Sequence, residues 1–289
     1  MANEFEFELA NGQKVYTGTQ LPETMPLSLK AYPQEKIRSL DDIVEIVKDS
    51  QSLDIEKEWR NEVPWFAQGR RSSCNLYMVA WMFCITYWRF TGKKIRLSPE
   101  WVYAQINGGR DGGSMLDDGM VAMLKGGMPE YTEEFYERYR MDEFSMEEQR
   151  WAKDSSEDHC FTEAYAAPTE SFEQLMLSLY SNIAEGGVCG TAVHVGDNYM
   201  RSGVTAGFDK GPGNHAVAAV QLHLKTPRPK SIEDIEMKSP QSWDKGFANN
   251  GFTRLTAKHL YETGKHHATY CLRAVSSIQD VIESCLIKD

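Results

Sequence analysis

The most apolar run of this chain, Cys74 to Phe90, sets what it can fold into. The run contains Asn75 and Thr86 and ends beside Arg89, so it falls short of the roughly 18 uncharged residues a membrane span needs. It therefore reads as a helix buried inside a globular domain. A polar turn, Gln68-Gly-Arg-Arg-Ser-Ser-Cys74, delivers its first residue, with Ser72 or Ser73 placed to cap the helix. A cysteine in that position has two readings. A thiolate at a helix N-terminus is favoured by the macrodipole and the free N–H groups, whereas a lone cysteine is most simply a small core residue.

The rest of the chain can bury such a helix. It has 289 residues, 41% of them hydrophobic and 11% aromatic, enough for a sizeable core without metals or staples. With 31 basic and 42 acidic residues the formal charge is -11, which repels a phosphate backbone and argues against nucleic acid as a partner. The N-terminal stretch MANEFEFELANGQKVYTG has no basic segment followed by an apolar one, so no secretory signal is read and a cytoplasmic setting without membrane contact is expected. The six cysteines, Cys74, Cys84, Cys160, Cys189, Cys271 and Cys285, lack CxxC pairs or Cys/His ligand spacing. Free thiols, no metal and no organic cofactor are expected.

Residues 1–55 read as an N-terminal extension, either a prosegment or a docking segment, and residues 56–289 as the main domain. Within the extension SLDDIVEIVKDS predicts one helix, capped by Ser39, with Ile43, Val44, Ile46 and Val47 as its apolar stripe. SPEWVYAQI, MLDDGMVAMLKGG and SFEQLMLSLYSNIAEGG predict three more, and the charged stretch 139–158 reads as exposed loop. In the second half VCGTAVHVG, HAVAAVQLHL, GFTRLT and ATYCLRAV are short β-branched runs between turn residues. A helical half followed by an antiparallel, strand-rich half predicts an α+β protein of two lobes with its site in the cleft between them.

Two further motifs weigh on the reading of Cys74. Gly211-Pro-Gly-Asn-His215-Ala-Val-Ala-Ala-Val brings a histidine by a turn to the start of an apolar strand, where a base could face a helix terminus. Gln241-Ser-Trp243 follows, in which an amide oxygen could hold an imidazole N–H and an indole could shield that bond from water.

At these residues the chain resembles the papain-like cysteine peptidases. Gln68 and Cys74 have that family's spacing, and LSPEWVY, DGGSMLDDGMVAMLKGGMPE, GGVCGTAVHVGDNYM, GPGNHAVAAV and QSW…NNGFTRL follow in the family's order. The resemblance implies the two-lobed papain-like fold, with Cys74 as nucleophile, His215 as base, Gln241 orienting it and Gln68 donating to the oxyanion. It also implies that Gly112 and Gly113 present backbone to an extended peptide or protein substrate, with Met115, Ala216 and Trp243 lining the site. Departures are equally specific. Arg71 stands where the family has a structural cysteine with no partner near Gly112, Asn75 replaces an aromatic residue, Ser72 a glycine, and Gln241 the usual asparagine.

The expected function is thus an intracellular thiol endopeptidase working through an acyl-enzyme. The alternative is a weak or inactive papain-like module in a larger assembly, such as a virus particle, and amide transfer or deamidation would use the same thiol. Asp117 and Asp118 read as helix-capping carboxylates, Cys84 as core, and His266 and His267 as exposed.

Overall fold

In a computed structural model of the protein, residues 6–8, 14–16, 29–49, 54–59, 66–201, 203–243, 245–264 and 267–276 are described. The apolar run becomes the axis of the helical lobe, α3 (Cys74–Thr91), and every side chain from Cys74 to Trp88 is buried. Gly92, at φ 74°, ends it by returning its N–H to Trp88 O at 2.8 Å, the left-handed stop that glycine adopts at no steric cost. Around it lie α2 (Ile55–Trp59), α4 (Pro99–Ile106) and α5 (Leu116–Lys125). Asp118 caps α5 by accepting the Met115 N–H at 3.0 Å.

The stretch 139–158 is not an exposed loop, because it contains α6 (Met146–Ser156). Ser145 Oγ accepts the Glu148 N–H at 3.2 Å and Glu148 returns a carboxylate oxygen to the Ser145 N–H at 2.6 Å. That reciprocal cap starts a helix whose charged faces hide the signal, and Phe144 and Ala152 sink into the helical-lobe core.

The second half forms two antiparallel sheets. β3 (Cys160–Ala166), β9 (Tyr270–Ser276), β4 (Val188–Val193) and β5 (His215–Ala219) lie side by side in that order. β6 (Gln221–Leu224), β7 (Ile235–Pro240) and β8 (Phe252–Thr256) make the other, and β1 (Glu6–Glu8) pairs with β2 (Lys14–Tyr16). Helices α7 (Phe172–Ala184), α8 (Asp197–Met200) and α9 (Ala257–Gly264) complete this α+β lobe.

In the 1–55 segment, α1 (Leu40–Asp49) buries Ile43, Val44 and Val47 in the β-lobe core. Tyr32 N–H donates to Ala166 O at 2.8 Å and Arg38 N–H to Ser181 Oγ at 2.8 Å, so residues 29–49 run along the outside of α7 and β3. No described helix is long and apolar enough to cross a membrane.

β5 divides the two cores. Ala216 and Ala218 pack with α3, while Val217 and Ala219 pack with α7, because successive strand residues point to opposite faces. His215 therefore shares the face of Val217 and Ala219, and that parity governs the site.

Candidate active site

The turn before α3 is fastened from outside its own sequence. Gln68 N–H donates to Ser242 O at 2.6 Å, Gly69 takes φ 59°, and Arg71 N–H closes back on Gln68 O at 3.3 Å. This aims Cys74 at the head of β5, and its Sγ accepts the Ala216 N–H at 3.5 Å. Cys84, in the same helix, lies in the core, and burial pushes its thiol far above the ordinary range.

His215 reaches the site through a second tied turn. Asn214 Oδ1 accepts the Val195 N–H at 2.8 Å and its Nδ2 donates to Val195 O at 3.1 Å. His267 Nε2 donates to Gly213 O at 2.8 Å. The reading of His267 as an exposed turn residue is thereby corrected: it is buried because it staples the turn before His215. His266 lies outside the described residues.

Strand parity turns the imidazole toward Trp243, and the two rings stack with centroids 4.3 Å apart at 25°. Both His215 nitrogens are buried without a hydrogen-bond partner. Burial pushes the imidazole down to about 3; the neighbouring Gln241 amide favours the protonated ring and is outweighed. At neutral pH the ring is uncharged. Gln241 is itself held by the β-lobe, with Oε1 accepting from Tyr199 Oη at 3.2 Å and Nε2 donating to Ser239 Oγ at 3.1 Å. The amide so held lies near His215 without an aligned hydrogen bond to it.

Gln68 donates Nε2 to Arg71 O at 2.6 Å and accepts from Ser242 Oγ at 2.5 Å. Gly113, at φ 77°, donates its N–H to Tyr103 Oη at 3.2 Å, and the Met115 carbonyl accepts from Asn75 Nδ2. Asp117 accepts the Tyr270 hydroxyl, which with the Asp118 cap accounts for both carboxylates.

Cys74, Gln68, His215, Ala216, Gln241 and Trp243 thus meet where α3, β5 and the 241–243 segment converge, and Gly112 to Met115 border them through Asn75 and Tyr103. Cys74, His215 and Gln241 have no exposed surface, so the convergence is closed to solvent. Sequence reasoning missed Ser242 and Tyr199. Ser242 had the one available signal, its position between Gln241 and Trp243. Among the described residues no group of three or more His, Cys, Asp or Glu could hold a metal ion, and the five described cysteines are free thiols.

No known family profile matches the sequence, and no curated protein matches it. Solved structures do. Xylellain, a cysteine protease from Xylella fastidiosa, superposes with a TM-score of 0.56 at 14% identity, over 89% of this chain and 96% of that one. A digestive procathepsin L of Tenebrio molitor larval midgut gives 0.55 at 16%, over 74% of this chain and 68% of that one. The proform of a ragweed pollen allergen cysteine protease gives 0.54 at 16%, over 75% of this chain, which spans 64% of the ragweed protein. The chain is built on the papain-like cysteine protease fold, carried on a strongly divergent sequence.

Proposed function

We propose that this protein is a thiol peptidase acting on extended peptide segments through an acyl-enzyme on Cys74. One observation carries the reading: the Cys74 Sγ lies 3.5 Å from the Ala216 N–H, so the thiol sits against the residue that follows His215. In the reaction His215 takes the thiol proton, the sulfur attacks the scissile carbonyl, and the imidazole returns that proton to the leaving amine. Water then hydrolyses the thioester. Gln68 and the Cys74 N–H supply the oxyanion donors, and Gly112 and Gly113 the backbone for the substrate strand. Both reacting groups are buried, so on this reading the site has to open before a peptide can reach Cys74.

A peptidyl epoxide is expected to form one adduct, mapped by mass spectrometry to Cys74, and the native protein to cleave a fluorogenic peptide library. Absence of both would leave the second reading, a papain-like module without catalysis, which the closed site and the unpartnered imidazole favour.

Gln241 separates the readings further. Its amide lies beside the ring and favours the protonated imidazole, so Gln241→Ala should lower kcat by about tenfold with KM nearly unchanged, by weakening the base. Gln241→Asn should retain most of the rate. Equal turnover of Gln241→Ala and wild type would remove this residue from the machinery.

A further inference from the structure

One carboxylate outside the reacting groups joins both walls of the site. Asp111 Oδ1 accepts the Ser72 N–H at 2.9 Å, two residues before Cys74, and the Tyr103 hydroxyl at 2.8 Å. The same Tyr103 oxygen accepts the Gly113 N–H at 3.2 Å. A single oxygen thus ties the turn carrying Cys74 to the glycine loop, through a tyrosine that is wholly buried in α4. On the other side Arg71 reaches Asp111 Oδ2 at 3.6 Å, donates Nε to Glu137 O at 2.8 Å and lies over the Tyr139 ring at 4.3 Å. Glu137 holds φ 59°, a strained value for a residue with a side chain, while its carboxylate accepts the Arg70 N–H at 3.1 Å.

We propose that Asp111 is a positioning residue for Cys74, fixing the first turn of α3 and the substrate-facing glycine loop relative to each other. The catalytic part of this inference rests on the peptidase reading above. The relative strengths of the contacts decide which atoms matter. The Arg71–Asp111 pair is long, and its side chains are 29% and 22% exposed, so solvent screens it and it contributes little. Hydrogen bonds from N–H and O–H to a carboxylate are about twice as strong as neutral ones, and both here fall on Oδ1. Asparagine can keep an oxygen at that position; alanine cannot. Displacing a reacting group by about 1 Å can cost on the order of a hundredfold in rate.

The test pairs peptide kinetics with amide hydrogen exchange on the full chain. Asp111→Ala is expected to lower kcat by about tenfold or more with KM changed little, and to speed exchange at Ser72 and Gly113 together. Asp111→Asn should stay within about threefold of wild type in both measurements. Wild-type exchange at Ser72 and Gly113 in Asp111→Ala, or an Asp111→Asn as impaired as Asp111→Ala, would overturn the proposal. Should Asp111→Ala not fold, Tyr103→Phe removes only the hydroxyl and should free Gly113 while leaving Ser72 protected; unchanged Gly113 exchange would equally overturn it. If the wild type cleaves no peptide the peptidase reading fails alone, and the exchange measurement still decides whether Asp111 couples the two walls.

Discussion

Acidification from about pH 6.5 toward pH 3 is expected to cost this protein stability through one buried side chain, His215. In the unfolded chain the imidazole takes up a proton near pH 6.5, whereas in the folded protein burial against Trp243 holds it neutral down to about 3. Between those values the unfolded state binds more protons, so stability rises with pH across the window and is lost as pH falls through it. At about 1.4 kcal/mol per pH unit, the full window is worth at most roughly 5 kcal/mol. His259, lowered mainly by burial, acts in the same direction. Glu100 acts oppositely, because burial pushes its carboxyl up to about 7 and its protonated form is the one the fold prefers. Melting temperatures of wild type and His215→Leu at pH 7 and pH 4.5 check this. Wild type should lose clearly more on acidification than the variant, and equal losses would show that the ring is charged or solvated in the folded protein.

That neutral ring also bears on mechanism. On the proposed peptidase reading a thiolate–imidazolium pair would need a charged histidine, which burial of His215 disfavours, so the pair could ionise only with water admitted.

How much of this was legible in the sequence depends on how local each signal was. The α3 helix and its terminal cysteine could be read because seventeen adjacent residues carry the pattern. The order of Cys74, His215 and Gln241 was legible because each motif sits on its own turn. What stayed hidden depends on partners far along the chain. The Ser242–Gln68 hydrogen bond spans 174 residues and the Asn75–Ser114 bond 39. His267 reads locally as a polar turn and is buried only because Gly213 lies opposite. The α6 helix was missed for a different reason, since its start is marked by the Ser145–Glu148 cap but its charged faces resemble a solvated loop. Gln241 shows the limit of motif transfer, because Tyr199 decides where its oxygen points.

Cys74→Ser is expected to lower kcat on a cleaved peptide by about a thousandfold or more, with a stability cost like that of any buried cysteine given a hydroxyl. Serine is shorter than cysteine, so its oxygen reaches the Ala216 N–H less well than the sulfur does at 3.5 Å, and the fold loses a little volume and gains a buried hydroxyl. The chemistry does not survive. An alkoxide is far harder to form than a thiolate, and a neutral imidazole stacked on Trp243 is too weak a base to compensate. Cys84→Ser provides the contrast within the same helix. Cys84 is wholly buried in the core and touches none of the reacting groups, so a hydroxyl there should cost about 1–3 kcal/mol of stability and leave kcat near wild type. Both variants bury a hydroxyl in the same core, so it is kcat that separates the two roles a buried cysteine can have. Retained turnover in Cys74→Ser would place the nucleophile elsewhere.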